Sequence, residues 1–329
     1  MTKYAFGFAL LPLLSGVPHR RQPCTLPPDS SVRTEPATPR AGTLFRVMLA
    51  SSSPGLQLTV AGEPLHLRPD ASATVAIAAV PIDSSQGIDL VLRCSDGTSR
   101  AVRLATNAGA YRLERLRVAP RFAAPPDSAL VARLAREAAR AAAVSQASHD
   151  TPALAREAFL VPRTSRITSA FGGGRTFNDS VTSRHMGTDY AGVVGAPVRA
   201  SNRGIVRLVD RFYLGGNVIY LDHGAGLVTA YLHLSRHRVA EGDTVERGQV
   251  IGNVGATGRV TGPHLHFIAR YGAVTVDPAS LLALGVPSPR TRLSPLTPPQ
   301  SSRPHAAPRP SQCPTHPCRQ SSPRPARVP

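Results

Sequence analysis

The run Gly262-Pro263-His264-Leu265-His266-Phe267 places two histidines two residues apart. In an extended strand such side chains share a face, so both imidazoles look into one groove while Leu265 and Phe267 turn towards a core. Two imidazoles on one face suit metal binding, and further ligands must then come from elsewhere. The segment Ser183-Arg184-His185-Met186-Gly187-Thr188-Asp189-Tyr190 offers a histidine and a carboxylate four apart. On a helix they would share a face, but Gly187, Gly172-Gly173-Gly174 and Gly192 argue against a stable helix there. A loop entering a strand is the better setting. In it His185 and Asp189 can chelate one ion, and the strand of His264 and His266 supplies a third ligand. Three protein ligands leave one position for water, which is what a catalytic zinc requires. No His-Glu-x-x-His motif provides a glutamate base.

The elements that must position these groups are short strands. Among 329 residues there are 27 glycines, 32 prolines, no tryptophan and only 5% aromatics, a balance that favours a turn-rich β protein over a helical one. Residues 1–40 read as a signal-like segment and a flexible leader. Lys3 precedes an apolar stretch to Val17 that is too short to span a bilayer but right for a signal-peptide core. Leu13-Leu14-Ser15-Gly16 begins like a lipoprotein box, with Val17 where the cysteine should stand. Export to the periplasm or cell envelope is the expectation, a misplaced start codon its alternative. No other stretch could cross a membrane.

Over 41–118, Leu56-Gln57-Leu58-Thr59-Val60, Leu65-His66-Leu67, Val75-Ala76-Ile77, Ile88-Asp89-Leu90-Val91-Leu92, Ala101-Val102-Arg103-Leu104 and Tyr111 to Leu116 alternate with period two between turn residues. This spacing predicts a small immunoglobulin-like β-sandwich. His66 alternates outward and receives no role. Residues 119–165 read as a helical connector: Asp127 or Ser128 caps a helix with Leu130, Val131, Leu134, Ala138 and Ala141 on one side. Residues 166–286 form a second, glycine-rich β domain. His223 reads as turn chemistry and His237 as solvated. The tail, 287–329, holds many prolines and arginines and no acidic residue, and cannot bury a core.

The net charge of +18 is almost wholly arginine, with Lys3 the only lysine. It permits contact with an anionic polymer or lipid surface, and the tail could add a weak anionic-surface contact. Without zinc-finger spacing, RNA-binding aromatics or a basic dimer helix, nucleic acid is not expected. Cys24, Cys94, Cys313 and Cys318 lack CxxC spacing and are no metal framework. Cys94 falls on the apolar face of its strand and reads as a small buried hydrophobe.

Taken in order, Ile167-Thr168-Ser169-Ala170-Phe171-Gly172, the His185–Asp189 pair, Ala230-Tyr231-Leu232-His233-Leu234, Glu241-Gly242-Asp243-Thr244-Val245, Gly248-Gln249-Val250-Ile251-Gly252, Gly255-Ala256-Thr257-Gly258 and the closing His264-Leu265-His266 resemble the lysostaphin and LytM-type zinc peptidases that cut peptidoglycan, peptidase family M23. The resemblance covers roughly Arg166 to Leu284. It implies a mainly β chain whose second domain is an antiparallel, barrel-sandwich hybrid-like catalytic domain. It implies one zinc held by His185, Asp189 and His266, with His233 and His264 left beside the open position as catalytic residues. The implied activity is a zinc metalloendopeptidase acting on peptidoglycan peptide cross-links, of D,D-endopeptidase type, because the preceding β domain and helix look like some Gram-negative members. Arg175, Asn178 and Asn217 could line the substrate groove. A non-cleaving relative that binds or activates another wall hydrolase is the alternative reading. The stretch Val198 to Gly258 also resembles biotinyl and lipoyl carrier domains, but it has no lysine for the cofactor.

Overall fold

The computed structural model describes residues 23–70, 73–118, 127–177 and 181–285. The signal-like start, Asn178, Asp179, Ser180, Cys313, Cys318 and the tail from 287 lie outside the described residues. The chain is mainly β. Its amino-terminal alternating segments build two four-stranded antiparallel sheets. One is ordered Val32–Glu35, Leu44–Leu49, Ala73–Ala79, Arg68–Asp70; the other is ordered Glu63–Pro64, Gln57–Val60, Ile88–Arg93, Ser99–Leu104. In Ile88–Arg93 the period-two pattern is explicit, with Ile88, Leu90 and Leu92 buried and Asp89 and Arg93 exposed. Phe45, Val47 and Leu49 from the first sheet join Leu58, Leu90 and Leu92 from the second in one apolar cluster. Burial of these inner faces is what holds the two layers together.

Three sequence expectations change here. Part of the expected flexible leader belongs to the fold: Val32–Glu35 pairs with Leu44–Leu49, and Cys24 is disulfide-bonded to Cys94 across a sequence separation of 70. Cys94 is buried, as its strand face implies, but as half of a cross-link. Leu65-His66-Leu67 is no strand; there the chain crosses from one sheet to the other. The last expected sandwich strand, Leu113–Leu116, leaves the sandwich and pairs in parallel with Gly174–Phe177, which also pairs with Val181–Arg184. Periodicity identifies a strand but carries no information about its partner.

Helix Ser128–Ala147 begins where Asp127 accepts a hydrogen bond from the Leu130 amide at 2.7 Å. Its inward face is not the expected stripe, since Val131 is 52% exposed. Leu130, Leu134 and Glu137 are half-buried and Ala141 and Ser145 buried, a spacing of four, three, four and four that keeps one face. That face, through Ala141 and Val144, covers Leu208, Val218, Tyr220, Val228 and Ala230 of a ten-stranded sheet built from residues 167–276.

The second sheet is ten-stranded, with a main path of Ile167–Ser169, Thr188–Ala191, His264–Tyr271, Leu227–His237, Gly216–Gly224, Gly204–Phe212 and Thr244–Val245. Neighbours along this path are antiparallel. Leu265 and Phe267 are fully buried with Tyr190, Ile219, Tyr231 and Leu234 on one face, as the His264–Phe267 alternation requires. The helix covers part of the opposite face, where Ile268 packs. His264 and His266 lie on that opposite face, further along the same strand.

His223 is not in a turn. It is fully buried near the end of Gly216–Gly224; the Arg203 carbonyl accepts from Nδ1 at 2.8 Å and the Thr229 hydroxyl lies 2.7 Å from Nε2. Burial outweighs these contacts and the charge of Asp222, and pushes its pKa down to about 4. The unfolded chain therefore takes up this proton first, from about pH 6.5 downwards, and stability is lost as pH falls from there towards about 4. In urea unfolding, the advantage of wild type over His223→Asn should shrink by about 3 kcal/mol between pH ~7.5 and ~4.5. An advantage independent of pH would refute this account.

Candidate metal centre

Strand register brings the first groups together. Thr188–Ala191 runs between Ile167–Ser169 and His264–Tyr271, with Ser169 opposite Asp189 and Asp189 opposite His266. Directly opposed residues share a face, so the ladder itself puts the carboxylate beside the imidazole. His185 comes from the loop before this strand. Its amide donates to the Gly173 carbonyl and its carbonyl accepts from the Gly172 amide, both at 2.7 Å. The resulting triangle has His185 Nε2 3.0 Å from Asp189 Oδ1, His266 Nδ1 2.7 Å from the same oxygen, and the two nitrogens 3.0 Å apart. Among the described residues no other trio of His, Cys, Asp or Glu gathers this closely.

Protonation follows from the second contacts. The Ala170 carbonyl, 2.8 Å from His185 Nδ1, can only accept, so it favours the tautomer with the proton on Nδ1 and the Nε2 lone pair facing the triangle. All three residues are at least nine-tenths buried. Burial pushes the Asp189 carboxyl up, but the His185 and His266 imidazoles packed against it favour its ionised form and hold it well below the usual carboxylate range. Burial also lowers His266, against the opposing pull of Asp189. Two nitrogens and one anionic oxygen, pre-aimed at one point, are a donor set that suits a borderline divalent ion such as zinc. Gly187 is part of this construction. A Cβ there would lie 2.6 Å from both His266 Cε1 and the Phe267 carbonyl oxygen.

His233 and His264 complete the group. The His264 ring is anchored by Nδ1 donating to the Gly262 carbonyl at 2.8 Å, and its Nε2 stands 3.7 Å from Asp189 Oδ1. The His233 and His264 ring centroids are 4.9 Å apart. His233 reaches the site by a break in its strand. Tyr231 and Leu234, three apart, both point into the same core, so Leu232 and His233 must both face the other way. A φ of +62° at His233 makes the extra step, and the pairing shifts register there. Thr257 locks the result: its carbonyl accepts from His233 Nδ1 at 2.8 Å, and its hydroxyl donates to the Leu234 carbonyl at 2.8 Å. Burial and the neighbouring His266 and His264 hold the His233 pKa well below its ordinary value, so its Nε2 is a lone pair too.

The site floors a cleft of about 390 Å³ lined by Glu114, Arg166, Asp189, His233, Arg259 and His264 among others. All five residues singled out in the sequence therefore converge, and others do not. Asn217 donates its side-chain amide to the Leu234 carbonyl at 2.9 Å, bracing the His233 bulge. His237 is half-buried, with burial lowering its pKa. Arg175 lies on Gly174–Phe177, and Asn178 is outside the described residues. Sequence reasoning missed Thr257 and Ser169 as individuals, although both sit inside motifs it quoted, and it missed Glu114 altogether.

A left-handed backbone costs an L-residue roughly 1–2 kcal/mol that glycine avoids. His233→Gly should therefore be more stable than His233→Ala by about 1 kcal/mol in chemical denaturation. Equal stability would show that the bulge relaxes once the ring is gone.

The peptidase family M23 profile matches residues 183–278. Among curated proteins, the chain is 47% identical over 83 residues to the peptidoglycan DD-endopeptidase ShyC of Vibrio cholerae, covering 25% of this chain and 19% of that one. It is 47% identical over 97 residues to the DD-carboxypeptidase/endopeptidase Mpg of Neisseria meningitidis, covering 30% and 22%. The chain thus spans about a fifth of the length of these relatives. A solved peptidase M23 structure from Pseudomonas aeruginosa superposes with a TM-score of 0.60 at 26% identity, covering 74% of this chain and 95% of that one. That likeness extends well beyond residues 183–278.

Proposed function

Residues 183–278 form a peptidase family M23 domain, and from that premise we propose that the chain is a zinc metalloendopeptidase hydrolysing the peptide cross-links of bacterial peptidoglycan. The observation that carries this reading is the meeting, in one open cleft, of the His185–Asp189–His266 triangle with two further imidazoles whose Nε2 atoms are not tied to backbone carbonyls. His185 through Nε2, Asp189 through Oδ1 and His266 through Nδ1 would hold one zinc ion. When bound, the ion supplies Lewis-acid polarisation of a carbonyl and a water whose pKa falls towards ~7.

This chain's own residues then have separate tasks. His233, kept neutral by burial, is placed to take a proton at Nε2. His264, at the edge of the cleft, is placed, when protonated, to stabilise developing negative charge, and the proton taken up by His233 returns to the leaving amine. Arg166 and Arg259, which also line the cleft, suit the carboxylates of a peptide stem. A mesh substrate needs a groove open to solvent, and relatives named as DD-endopeptidases favour the D,D type of cross-link.

In this reading a β-sandwich domain ends near Leu104, and a segment carrying the strand Leu113–Leu116 and a helical connector to about 165 precede the catalytic residues 166–286. The Cys24–Cys94 disulfide suits an oxidising compartment, which supports an exported, envelope-located protein. No helix among the described residues is long and apolar enough to cross a membrane.

Incubated with purified sacculi, the zinc-loaded protein should release uncrosslinked peptides whose new termini, read by mass spectrometry, identify the bond. His266→Ala should lose metal and cleavage together. His264→Ala should keep stoichiometric zinc and lose cleavage by about 10²-fold or more. Cleavage that survives His266→Ala would refute the ligand assignment. A wild type that binds zinc and sacculi without cutting would refute the peptidase.

A further inference from the structure

Ser169 connects the metal triangle to a residue far from it in sequence. Its hydroxyl lies 2.8 and 2.9 Å from the two carboxylate oxygens of Glu114 and 3.1 Å from His185 Nδ1. Glu114 is half-buried on Leu113–Leu116, which is held beside the cleft by parallel pairing with Gly174–Phe177. It lies outside the residues matched to the peptidase family.

A hydroxyl has one proton and can also accept. A carboxylate only accepts, so Glu114 draws the Ser169 proton to itself and leaves the oxygen's lone pairs facing the imidazole. The Nδ1 proton of His185 is then shared between the Ala170 carbonyl at 2.8 Å and Ser169 Oγ. Turned the other way, the Ser169 proton would point at Nδ1 and favour the opposite tautomer, which puts a proton on Nε2 inside the triangle. Orientation of a histidine ligand by a carboxylate in its outer shell is a recurrent way of fixing tautomer and raising donor strength.

We infer that Glu114 is a positioning residue for the metal site, acting through Ser169 to fix the His185 tautomer whose Nε2 faces the ion. The inference rests on the reading of His185, Asp189 and His266 as zinc ligands. It makes the segment that follows the β-sandwich part of the metal centre, not merely a neighbour of it.

A double-mutant cycle on the full chain tests this, with zinc affinity measured by competition against a chromophoric chelator. Glu114→Gln keeps size but offers an amide that can donate to Ser169, and Ser169→Ala removes the relay. Each should weaken zinc binding by about 10- to 100-fold. If the Ser169 hydroxyl carries the coupling, the double variant should be no weaker than Ser169→Ala alone. Nitrogen chemical shifts of His185 in the metal-free protein should show the Nδ1–H form in wild type and a mixture in Glu114→Gln. A role confined to packing would lower thermal stability and leave affinity and tautomer unchanged. Affinity in Glu114→Gln within about twofold of wild type, or losses that multiply in the double variant, would overturn the inference. Should Glu114→Gln not fold, unchanged affinity in Ser169→Ala overturns it and a loss with the tautomer shift upholds it. Wild type that binds no zinc, with His266→Ala no different, would overturn the zinc-ligand reading itself and this inference with it.

Discussion

The site depends on the register of one short strand. Thr188–Ala191 has neighbours on both sides, and its pairing sets Asp189 between Ser169 and His266. A slip of one residue would exchange Asp189 with Tyr190, carrying the carboxylate into the core and the phenol into the cleft. Tyr190, Leu265 and Phe267 prevent this by burial, since each is nearly or wholly inaccessible on the far face of the sheet. The apolar side of the sheet thus determines where its polar side chains stand. Gly187 extends the same constraint, because its missing side chain lets the His266 ring and the Phe267 backbone approach.

Backbone carbonyls do the remaining work of the site. Ala170, Thr257 and Gly262 each accept from the Nδ1 of a different histidine, which favours the Nδ1–H tautomer in all three, with Ser169 and Glu114 adding to this at His185. His266 is the exception, turned so that Nδ1 meets Asp189. Such an arrangement is costly to bury without a cation, because lone pairs and a carboxylate face each other with little exposure to solvent. A tightly bound ion offsets that cost, so metal binding and stability of this region are linked.

The amino-terminal sheets and the second sheet share contacts throughout. Their apolar cluster continues into Leu227, Ala269, Tyr271, Val276 and Leu281. At the seam Glu63 accepts from the Ala273 amide at 3.0 Å and lies 2.8 Å from His149 Nε2, while Tyr271 donates to the Pro64 carbonyl at 2.7 Å. His66, which the alternation left without a role, is 2.9 Å from His149 Nδ1. This continuity explains how a residue of Leu113–Leu116 can stand in the wall of the cleft.

The sequence by itself determined the β-rich class, a helix cap at Asp127 or Ser128, the parity of His264 and His266, and the placing of His185 in a loop before Asp189. Each of these is local: a period of two, a cap, a glycine that disfavours a helix. What it could not determine were pairings. Nothing near Cys94 points to Cys24, and the alternation of Tyr111 to Leu116 fits a sandwich strand as well as the strand it forms beside Gly174–Phe177. His233 shows the limit most plainly. Strict alternation puts it on the side of Tyr231, in the core. Only the bulge, imposed by the packing of Leu234 and the grip of Thr257, turns it to the face where His264 and His266 lie. A strand's sequence encodes two faces, but which neighbour it meets and where its parity breaks are decided by contacts between residues distant in the chain.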